Sequence, residues 1–554
     1  MSEPHTIANK FNDYFSNIGN NLARKIPPAS CSFQDFLTER NVESIFLKPV
    51  QSKEILDIIM SMKNGSPGVD GIPAAVLKHV AHDIINPLVH VCQLSLSEGH
   101  FPSELKIAKV IPLYKANDPS MFNNYRPISL LSVFSKILEK LMYDRLYQYL
   151  VKFKLLYDFQ FGFQKYKSTY MAIICLVDRL VSALEKGEIG IGIFIVFRKA
   201  FDTVDHAILL EKLNYYGIRG SALDWLQSYL CDRQQFVEFE GYSSNMQYLQ
   251  CGVPQGSNLG PLLFLLYIND LAYVSPNLFA ILFADDSNFF CTGKDIDDLV
   301  DTVNHELKAI VSWLNANKMS LNVDKTHFMI FKSHSKKVTR EKNIIVNGCK
   351  ISEVTSTKFL GVMIDSNLTW KPHIDYISKK IAKNVGIIIK ARKIFDKDTL
   401  LTLYYSFIFP YLNYCIQLWG PTYQTYLKKL ELLQKKVVRI IAGVNKRGHS
   451  KPLFNDLRIL TVNDLYAYNI GLIMYKYHHG WLPNVLNMFE KNSDIHAHTT
   501  RQAGYLHSPS VSSELGKMSF RFQAVKIWNN IYKFLNVNIK IGTFKKHLKT
   551  FLIK

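Results

Sequence analysis

Two adjacent carboxylates, Asp285 and Asp286, lie inside the apolar segment LFAILFADDSNFF at residues 278–290. Adjacent like charges repel each other, and burying a carboxylate without a partner is costly. A protein can avoid this cost with a surface turn between two strands, or with a divalent cation that both carboxylates hold. The segment therefore predicts either a plain hairpin turn or part of a metal site.

The residues around the aspartates predict an α/β unit that positions them. GIGIFIVF at 190–197 is the clearest buried strand, because it is a short, β-branched, apolar run. Further strands are predicted at 106–115, 235–241, 326–332 and 358–364, and helices at 74–98, 129–152, 170–187, 206–231 and 295–317. An amphipathic helix and a Pro/Ser-rich connector precede this unit, and mostly helices follow it.

The positive charge of the chain is concentrated in its C-terminal part. The 554 residues carry a formal net charge of +20. Residues 371–554 contain 29 Lys and Arg against 9 Asp and Glu, whereas the first 370 residues contain 37 of each kind. Such a region is typical of a surface that runs along a polyanion, and the alternative is a soluble, generally basic helical region.

Cysteine usage and hydropathy indicate an intracellular protein, in the nucleus or the cytoplasm, without a membrane span. The eight cysteines form no CxxC pair and no ligand-like Cys/His spacing, so neither a disulfide framework nor a zinc module is indicated. The N-terminus has no apolar signal-peptide core. The uncharged run at 399–427 contains Pro410, Asn413, Gln417 and Pro421, which favours a buried helix or helix pair over a membrane span.

Nine sequence blocks point to one family when they are taken in order. They are NGSPGVDGIP, KVIPLYK, NYRPISLL, QFGFQKYKST, FRKAFDTVDH, GVPQGSNLGPLLFLLYINDL, FADD, NKMSLNVDKT and KFLGVMID. In this order and spacing they resemble the reverse transcriptase of a non-LTR (LINE-like, jockey-type) retrotransposon, over roughly residues 50–554. Group II intron maturases and telomerases resemble other versions of these blocks, and the sequence contains no recognisable RNA-binding domain of those lineages.

The resemblance implies the fold of a right-hand polymerase. The α/β fingers and palm are expected over residues 51–335, and the palm end and the start of the thumb over 336–398. A basic, mostly α-helical thumb and C-terminal region is expected over 399–554. Residues 1–50 are expected to form a connector helix and a linker, without the endonuclease that such elements usually carry before the polymerase.

The resemblance also implies two-metal nucleotidyl transfer. This chemistry uses two cations, Mg²⁺ or Mn²⁺, about 3.5–4 Å apart, and three carboxylates hold them in polymerases of this type. Asp285 and Asp286 match the catalytic, metal-holding pair on the hairpin. Lys325, in NVDKT, matches a position that protonates or neutralises the leaving pyrophosphate.

The position of the third carboxylate holds Val196. The family pattern F-x-D-x-x-K-A-F-D begins at Phe194 and has Asp two residues later. Valine suits a strand, so the fold is expected to tolerate it, but the metal site loses an anionic bridge. A loss of about 4 kcal/mol of transition-state stabilisation would slow the reaction about a thousandfold. Asp202 and Asp205 lie beyond the strand and are expected to be structural.

Five residues match positions that contact the incoming nucleotide. Lys115 and Arg126 correspond to the positions that grip the triphosphate, although either residue alone would be an ordinary surface cation. Phe201 resembles a steric gate against a 2′-hydroxyl group, and its alternative is a core phenylalanine. Gln255 and Gly256 belong to the Pro-Gln-Gly turn that contacts the nucleotide and the template.

The partners that the resemblance implies are template RNA, a DNA primer, dNTPs, and an RNA–DNA hybrid along the basic C-terminal region. Gln164 and Tyr166 stand where the family commonly has Arg and Gly, which weakens the expected template contacts there. Two hypotheses follow. The chain is an RNA-directed DNA polymerase impaired by Val196, or it is a catalytically inert, nucleic-acid-binding remnant of such an element.

Overall fold

The computed structural model describes residues 3–37, 39–333, 335–336, 338, 342–445, 448–495 and 503–553. Residues 1–2 of the predicted N-terminal connector and residue 554 of the predicted C-terminal region lie outside the described residues. The first elements are α1 (Pro4–Ala23), α2 (Ser52–Ser61), α3 (Ala74–Val80), α4 (Ile85–Glu98), β1 (Ile107–Tyr114), β2 (Tyr125–Leu130), α5 (Val133–Lys152), α6 (Thr169–Glu185), β3 (Ile189–Val196), α7 (His206–Tyr215), α8 (Ser221–Leu230), β4 (Gln234–Phe239), β5 (Tyr242–Ser243), β6 (Gln247–Tyr248) and α9 (Gly260–Ile268).

The later strands and one helix are β7 (Phe279–Phe283), β8 (Asp286–Gly293), α10 (Ile296–Ala316), β9 (His327–Phe331), β10 (Ile345–Val346), β11 (Cys349–Lys350), β12 (Ser352–Glu353), β13 (Ser356–Phe359) and β14 (Val362–Asp365). The remaining helices are α11 (Lys371–Ala391), α12 (Lys397–Phe407), α13 (Phe409–Asn413), α14 (Ile416–Trp419), α15 (Gln424–Ile441), α16 (Lys451–Asp456), α17 (Val462–His478), α18 (Asn492–Ile495), α19 (Glu514–Lys517), α20 (Phe520–Phe534) and α21 (Ile541–Ile553).

A five-stranded N-terminal sheet has the strand order β2-β1-β4-β5, with β6 also paired to β4. β1 runs antiparallel to β2 and parallel to β4. Helix α1 covers this sheet, because its Phe11 and Phe15 are buried against Ala108, Val110 and Val237. The amphipathic helix predicted at the N-terminus is therefore packed onto the first sheet.

The central sheet has the strand order β12-β9-β3-β8-β7. Its middle strand, β3, is the buried run predicted at 190–197. The isoleucines of β3 join the core on one face of the sheet, and Phe194 joins the core on the other face. Gly192 leaves space for a ring on the second face, since a Cβ there would lie 2.8 Å from the Phe290 side chain.

The helices after the last strand share one core with α6 and with the second face of the central sheet. Among the described residues beyond Asp365, every named element is a helix. The uncharged run at 399–427, predicted to be a buried helix or helix pair, is divided among α12, α13, α14 and the start of α15, and α12 buries Leu400 and Tyr404 while residues 405–407 are exposed. Within the described part of the chain, no helix is long and apolar enough to cross a membrane.

Several predicted elements are divided differently in the structure. The helix predicted at 206–231 is interrupted between α7 and α8, where Gly217 and Gly220 have φ values of 91° and 59°. The helix predicted at 74–98 is likewise two helices, α3 and α4. The strand predicted at 358–364 is the β13–β14 hairpin. The helix expected from residue 129 starts at α5, because β2 occupies its first residues.

The mixed α/β sheets followed by helices confirm the predicted fold class at that level. The finer assignment to fingers, palm and thumb, with limits at residues 50, 335 and 398, stays a prediction. The fold nevertheless brings the ends of β1, β2, β3 and β8 to one region, which contains most of the predicted site residues.

Candidate active site

The β7–β8 hairpin carries the two aspartates. Phe283 pairs with Asp286, so Ala284 and Asp285 form a two-residue turn. Ala284 has a φ of 55°, a left-handed conformation that is uncommon for a residue with a Cβ atom. Both aspartates reach solvent at this turn, which we call the carboxylate turn (residues 284–286), although the surrounding protein removes part of their hydration. The predicted hairpin with the aspartates at its tip is confirmed.

The segment that begins at Gln160 braces the carboxylate turn. The Gln160 Oε1 atom accepts hydrogen bonds from the N–H groups of Ala284 and Gly162, at 3.0 and 2.9 Å. Gly162 packs directly on the turn, since a Cβ there would lie 2.4 Å from the Ala284 nitrogen. Gln160 is buried, so the conformation of the turn depends on an amide that is distant in sequence.

The protein around the carboxylate turn makes both carboxylic acids harder to ionise. Partial burial, with the neighbouring charge of Asp285 as a second cause, raises the pKa of Asp286 to about 6. Burial also raises the pKa of Asp285, while the positive charges of Arg126 and Lys115 oppose this shift. The pKa of Asp285 is therefore affected by the two cations that the resemblance matches to triphosphate binding.

Lys115 directly follows β1, and Arg126 is the second residue of β2, so the two residues flank the loop between these strands. The loop is closed at its base, where the Lys115 N–H donates to the carbonyl oxygen of Asn124 at 2.9 Å. Burial lowers the pKa of Lys115, and the charges of Arg126 and Lys325 lower it further. The structure thus brings Arg126, Lys325 and Asp285 within electrostatic reach of Lys115.

Val196 ends β3 and lies directly opposite Asp286 in the β3–β8 register. Its carbonyl oxygen accepts a hydrogen bond from Asn322 N–H at 2.8 Å, so the backbone at this position is satisfied. In the described part of the chain, no group of three or more His, Cys, Asp or Glu side chains is placed to hold a metal ion. An isopropyl group supplies no ligand, and the donor set does not fit the expected two-cation site for Mg²⁺ or Mn²⁺.

The Pro-Gln-Gly turn, called here the Gln255 turn (residues 254–256), is fastened to β2. Ser129 N–H donates to the Gln255 carbonyl oxygen at 2.8 Å, and the Gln255 side-chain amide donates to Asp202 Oδ1 at 2.8 Å. Gly256 has a φ of 134°, and a Cβ there would lie 2.4 Å from the Ser129 oxygen. Both the conformation and the contact require glycine.

Phe201 lies beside the Gln255 turn. Its ring centroid is 4.4 Å from that of Phe264 and 6.1 Å from that of the exposed Phe163. Its carbonyl oxygen accepts a hydrogen bond from Val253 N–H at 2.9 Å. Phe201 is partly buried, so this geometry fits both the steric-gate and the core-packing interpretations.

Asp202 and Asp205 lie beyond β3, as expected. Asp205 caps α7, because its Oδ1 accepts a hydrogen bond from Ile208 N–H at 3.1 Å, and it pairs with Lys318 at 2.6 Å. Burial raises the pKa of Asp202 to about 6, although its hydrogen bond from Gln255 opposes the shift. Asp202 thus accepts a hydrogen bond from the Gln255 turn, and Asp205 caps the N-terminus of α7.

Comparison with known proteins agrees with the resemblance in the sequence. The model of the reverse transcriptase (RNA-dependent DNA polymerase) family matches residues 114–364. The chain carries a reverse transcriptase domain. By homology it is related to the RNA-directed DNA polymerases of non-LTR retrotransposons.

Three relatives show how far this reverse transcriptase homology extends. The probable RNA-directed DNA polymerase from transposon BS of Drosophila melanogaster is 28% identical over 444 residues, which cover 76% of this chain and 48% of that protein. The corresponding probable enzyme from transposon X-element of the same organism is 27% identical over 447 residues, 78% of this chain and 48% of the relative. The RNA-directed DNA polymerase from mobile element jockey of Drosophila melanogaster is 26% identical over 465 residues, 80% of this chain and 50% of the relative. The chain spans about half the length of these relatives.

The reverse transcriptase domain contains two further residues whose roles were missed from the sequence. Lys199 has a φ of 51°, and its Nζ atom lies 3.3 Å from the Tyr125 carbonyl oxygen. Burial lowers the pKa of Lys199, and the charges of Lys115 and Arg126 act in the same direction. The family pattern F-x-D-x-x-K-A-F-D contains this lysine, so a signal was available. For Gln160, only the tertiary contact with the carboxylate turn reveals the role.

Proposed function

We propose that the chain is the reverse transcriptase part of a non-LTR retrotransposon polymerase in which nucleotidyl transfer is impaired. One observation carries the proposal: Val196 faces Asp286 at the position where the family pattern has a third carboxylate. The strand keeps its backbone pairing, and the reaction loses an anionic group beside the hairpin. Such a protein would act on template RNA, a DNA primer and dNTPs in the nucleus or the cytoplasm.

The triphosphate is assigned to the cations around Asp285. Lys115, Arg126, Lys199 and Lys325 come from three separate parts of the chain. Besides burial, the charges of Arg126 and Lys325 lower the pKa of Lys115, and those of Lys115 and Arg126 lower the pKa of Lys199, while Asp285 and Asp202 act in the opposite direction. Positive charges that repel one another in this way favour an anionic ligand. In this proposal Arg126 provides a planar fork for phosphate oxygens, while the lysines act as point charges. Lys325 would neutralise the leaving pyrophosphate.

The sugar and the base are assigned to the other side of the site. Phe201 would exclude a ribonucleotide by filling the space of its 2′-hydroxyl group. Gln255 and Gly256 would present their backbone to the nucleotide and the template, because a residue without a Cβ permits close approach. The hydrogen bond between Gln255 and Asp202 supports this role, since it restrains the amide before a nucleotide binds.

The RNA–DNA hybrid is assigned to the basic C-terminal helices. Helix α11 supports this assignment because it exposes a series of lysines, at positions 371, 379, 380, 383 and 390. Phosphate contacts of this kind give affinity without base specificity and weaken as the salt concentration rises. The hybrid is therefore expected to bind in a salt-dependent way whether or not the chain can extend a primer.

Primer extension on a poly(rA)/oligo(dT) template tests the proposal. The unaltered chain is expected to extend the primer slowly or not at all, and Val196→Asp is expected to raise the rate about a thousandfold. Val196→Asn is the matched control, because it has the size of aspartate without the charge and should restore nothing. Circular dichroism of each variant verifies that the fold is intact.

Two outcomes would contradict the proposal. Robust synthesis by the unaltered chain would show that Val196 does not impair the reaction. Silence from both the unaltered chain and Val196→Asp, with hybrid binding retained, would favour the second candidate, an inert nucleic-acid-binding remnant. The departure at Gln164, where the family commonly has Arg, would then be the next substitution to reverse.

A further inference from the structure

A groove of about 600 Å³ lies between the N-terminal half of the chain and its C-terminal helices. One wall is formed by α5 and the segment that follows it, up to Lys167, and the other wall is formed by residues 480–483. Three aromatic residues and three lysines line it: Tyr147, Tyr166, Trp481, Lys154, Lys165 and Lys167. We call it the Tyr166–Trp481 groove. Its second wall lies outside the family-matched residues 114–364.

Tyr166 has an unfavourable backbone conformation. Its φ is 65°, in the left-handed region where glycine is the favoured residue, and the residue is 82% exposed. Side-chain-bearing residues that persist in such conformations cluster at ligand sites, where the strain serves function. The family commonly has glycine at this position. A strained backbone that presents an aromatic ring to solvent is therefore consistent with a ring that meets a ligand.

Trp481 faces the groove from the C-terminal side and is held in place by its neighbours. Its backbone N–H donates to the Lys476 carbonyl oxygen at 2.9 Å, just after the end of α17. Its ring centroid lies 5.3 Å from that of His479 and 5.8 Å from that of Tyr475. The residue is nevertheless 50% exposed. A fixed, half-exposed indole is suited to receive a flat ligand by stacking.

The charges of the groove favour an anionic ligand. Lys154 and Lys165 are exposed, and the acidic residue among the lining side chains is Asp158. Lys165 also lies 5.2 Å from the centre of the Tyr147 ring and 3.6 Å from Asp144. Aromatic rings interleaved with lysines are the pattern of surfaces that bind single-stranded nucleic acid, where bases stack and phosphates meet cations.

The groove is connected to the carboxylate turn. The segment that carries Tyr166 also contains Gln160, which bonds Ala284 in that turn. Lys167 ties the same segment together, because its Nζ donates to the carbonyl oxygens of Asp158 and Gln160 at 2.6 and 3.1 Å. The segment that lines the groove is therefore the one that braces the carboxylate turn.

We propose that the Tyr166–Trp481 groove binds single-stranded RNA, with bases stacked on Tyr166 and Trp481 and phosphates beside Lys154 and Lys165. The choice of RNA rests on the proposed function, in which RNA is the template. The groove does not use Val196 or either aspartate of the carboxylate turn. It therefore captures RNA even when the chain cannot extend a primer.

Fluorescence anisotropy with a short labelled single-stranded RNA, without primer or dNTPs, tests this proposal on the full chain. Tyr166→Gly and Trp481→Ala are each expected to weaken binding about tenfold, whereas Tyr166→Phe and Trp481→Phe, which keep a stacking ring, should bind nearly as the unaltered chain does. Tyr166→Gly should also raise the melting temperature, because it relieves the strained backbone. Lower affinity in a more stable protein would not arise from a purely structural role.

The matched control is Tyr248→Ala, since Tyr248 is an exposed tyrosine on β6 that is not part of the groove. It should leave RNA binding unchanged, and none of the variants should weaken binding of an RNA–DNA hybrid. Unchanged RNA affinity in both Tyr166→Gly and Trp481→Ala would overturn the proposal. Stronger competition by DNA of the same sequence would assign the groove to a DNA strand instead. Labelled polyglutamate that binds through the same two rings would assign it to an acidic peptide. None of these readings depends on whether Val196→Asp restores synthesis.

Discussion

The Gln255 turn and the region where Val196 of β3 faces the carboxylate turn have kept the family pattern to different extents. At the Gln255 turn, folding and chemistry require the same residue, because Gly256 has both a left-handed conformation and a contact that excludes a Cβ atom. At the carboxylate turn the two requirements differ. Val196 satisfies its strand position through backbone pairing with Asp286, although it supplies no ligand. The proposed loss of the third carboxylate is therefore compatible with an intact strand, because the fold at this position needs only the backbone pairing.

The largest expected effect is on stability at the Gln255 turn. Gly256→Ala should lower the free energy of unfolding by about 3 kcal/mol, because the new Cβ meets the Ser129 carbonyl oxygen and the backbone is strained. Urea unfolding measures this loss. Gly71→Ala is the matched control, since Gly71 has a φ of 68° but open space around its Cβ position, and it should cost about 1 kcal/mol. Equal losses would mean that the contact with Ser129 is unimportant.

The second-largest expected effect is that Mg²⁺ stabilises Val196→Asp against unfolding. Without metal, Val196→Asp should be less stable than the unaltered chain, because a third carboxylate is added beside two others. With Mg²⁺ at about a hundredfold excess over its dissociation constant, the variant should gain about 2.7 kcal/mol. Calorimetry with and without Mg²⁺ measures the difference. An equal gain in the unaltered chain would remove the contrast between the two turns.

A third, smaller effect concerns the brace of the carboxylate turn. Gln160→Ala should cost about 2 kcal/mol of unfolding free energy, because the N–H groups of Gly162 and Ala284 lose their acceptor. Gln164→Ala is the matched control, since its side chain makes one hydrogen bond, to the Gln160 carbonyl oxygen, outside the turn. If the two variants lose the same stability in urea unfolding, Gln160 has no special role at the turn.

The smallest effect is the pH dependence of Asp286. Folding raises the pKa of Asp286 to about 6, above the ordinary value near 4. The protonated side chain therefore contributes stability that is complete below pH 4 and is lost as the pH rises through 6. Asp286→Asn should therefore be more stable than the unaltered chain above pH 6, by about 0.5 kcal/mol after solvent screening, and equal to it near pH 4. Thermal unfolding across this pH range measures the difference. Equal stability of Asp286→Asn and the unaltered chain above pH 6 would contradict the raised pKa of Asp286.

Local patterns were sufficient to predict much of the fold around the site. The β-branched run of β3 and the apolar flanks of the two aspartates each report on their own backbone, and both elements are present as predicted. The breaks at Gly217 and Gly220 were missed because helical periodicity resumes after them. The signal there was conformational rather than hydrophobic.

The resemblance to a family, rather than periodicity, identified the site residues. Asp285 is far in sequence from Lys115 and Arg126, and no local pattern predicts that their charges act on its pKa. The role of Gln160 and the Tyr166–Trp481 groove also depend on contacts between distant segments. The left-handed backbone of Tyr166 could have been suspected only from the glycine that the family commonly has there.

The pairing of Val196 with Asp286 also has a genetic consequence. In the standard code, aspartate and valine codons differ by a single base at the second position. Because valine suits this strand position, folding stability does not select against the change from aspartate to valine. In the proposed function, one base change of this kind removes the third carboxylate and keeps the strand pairing, and the reverse change restores the carboxylate at some cost in stability when no metal is bound.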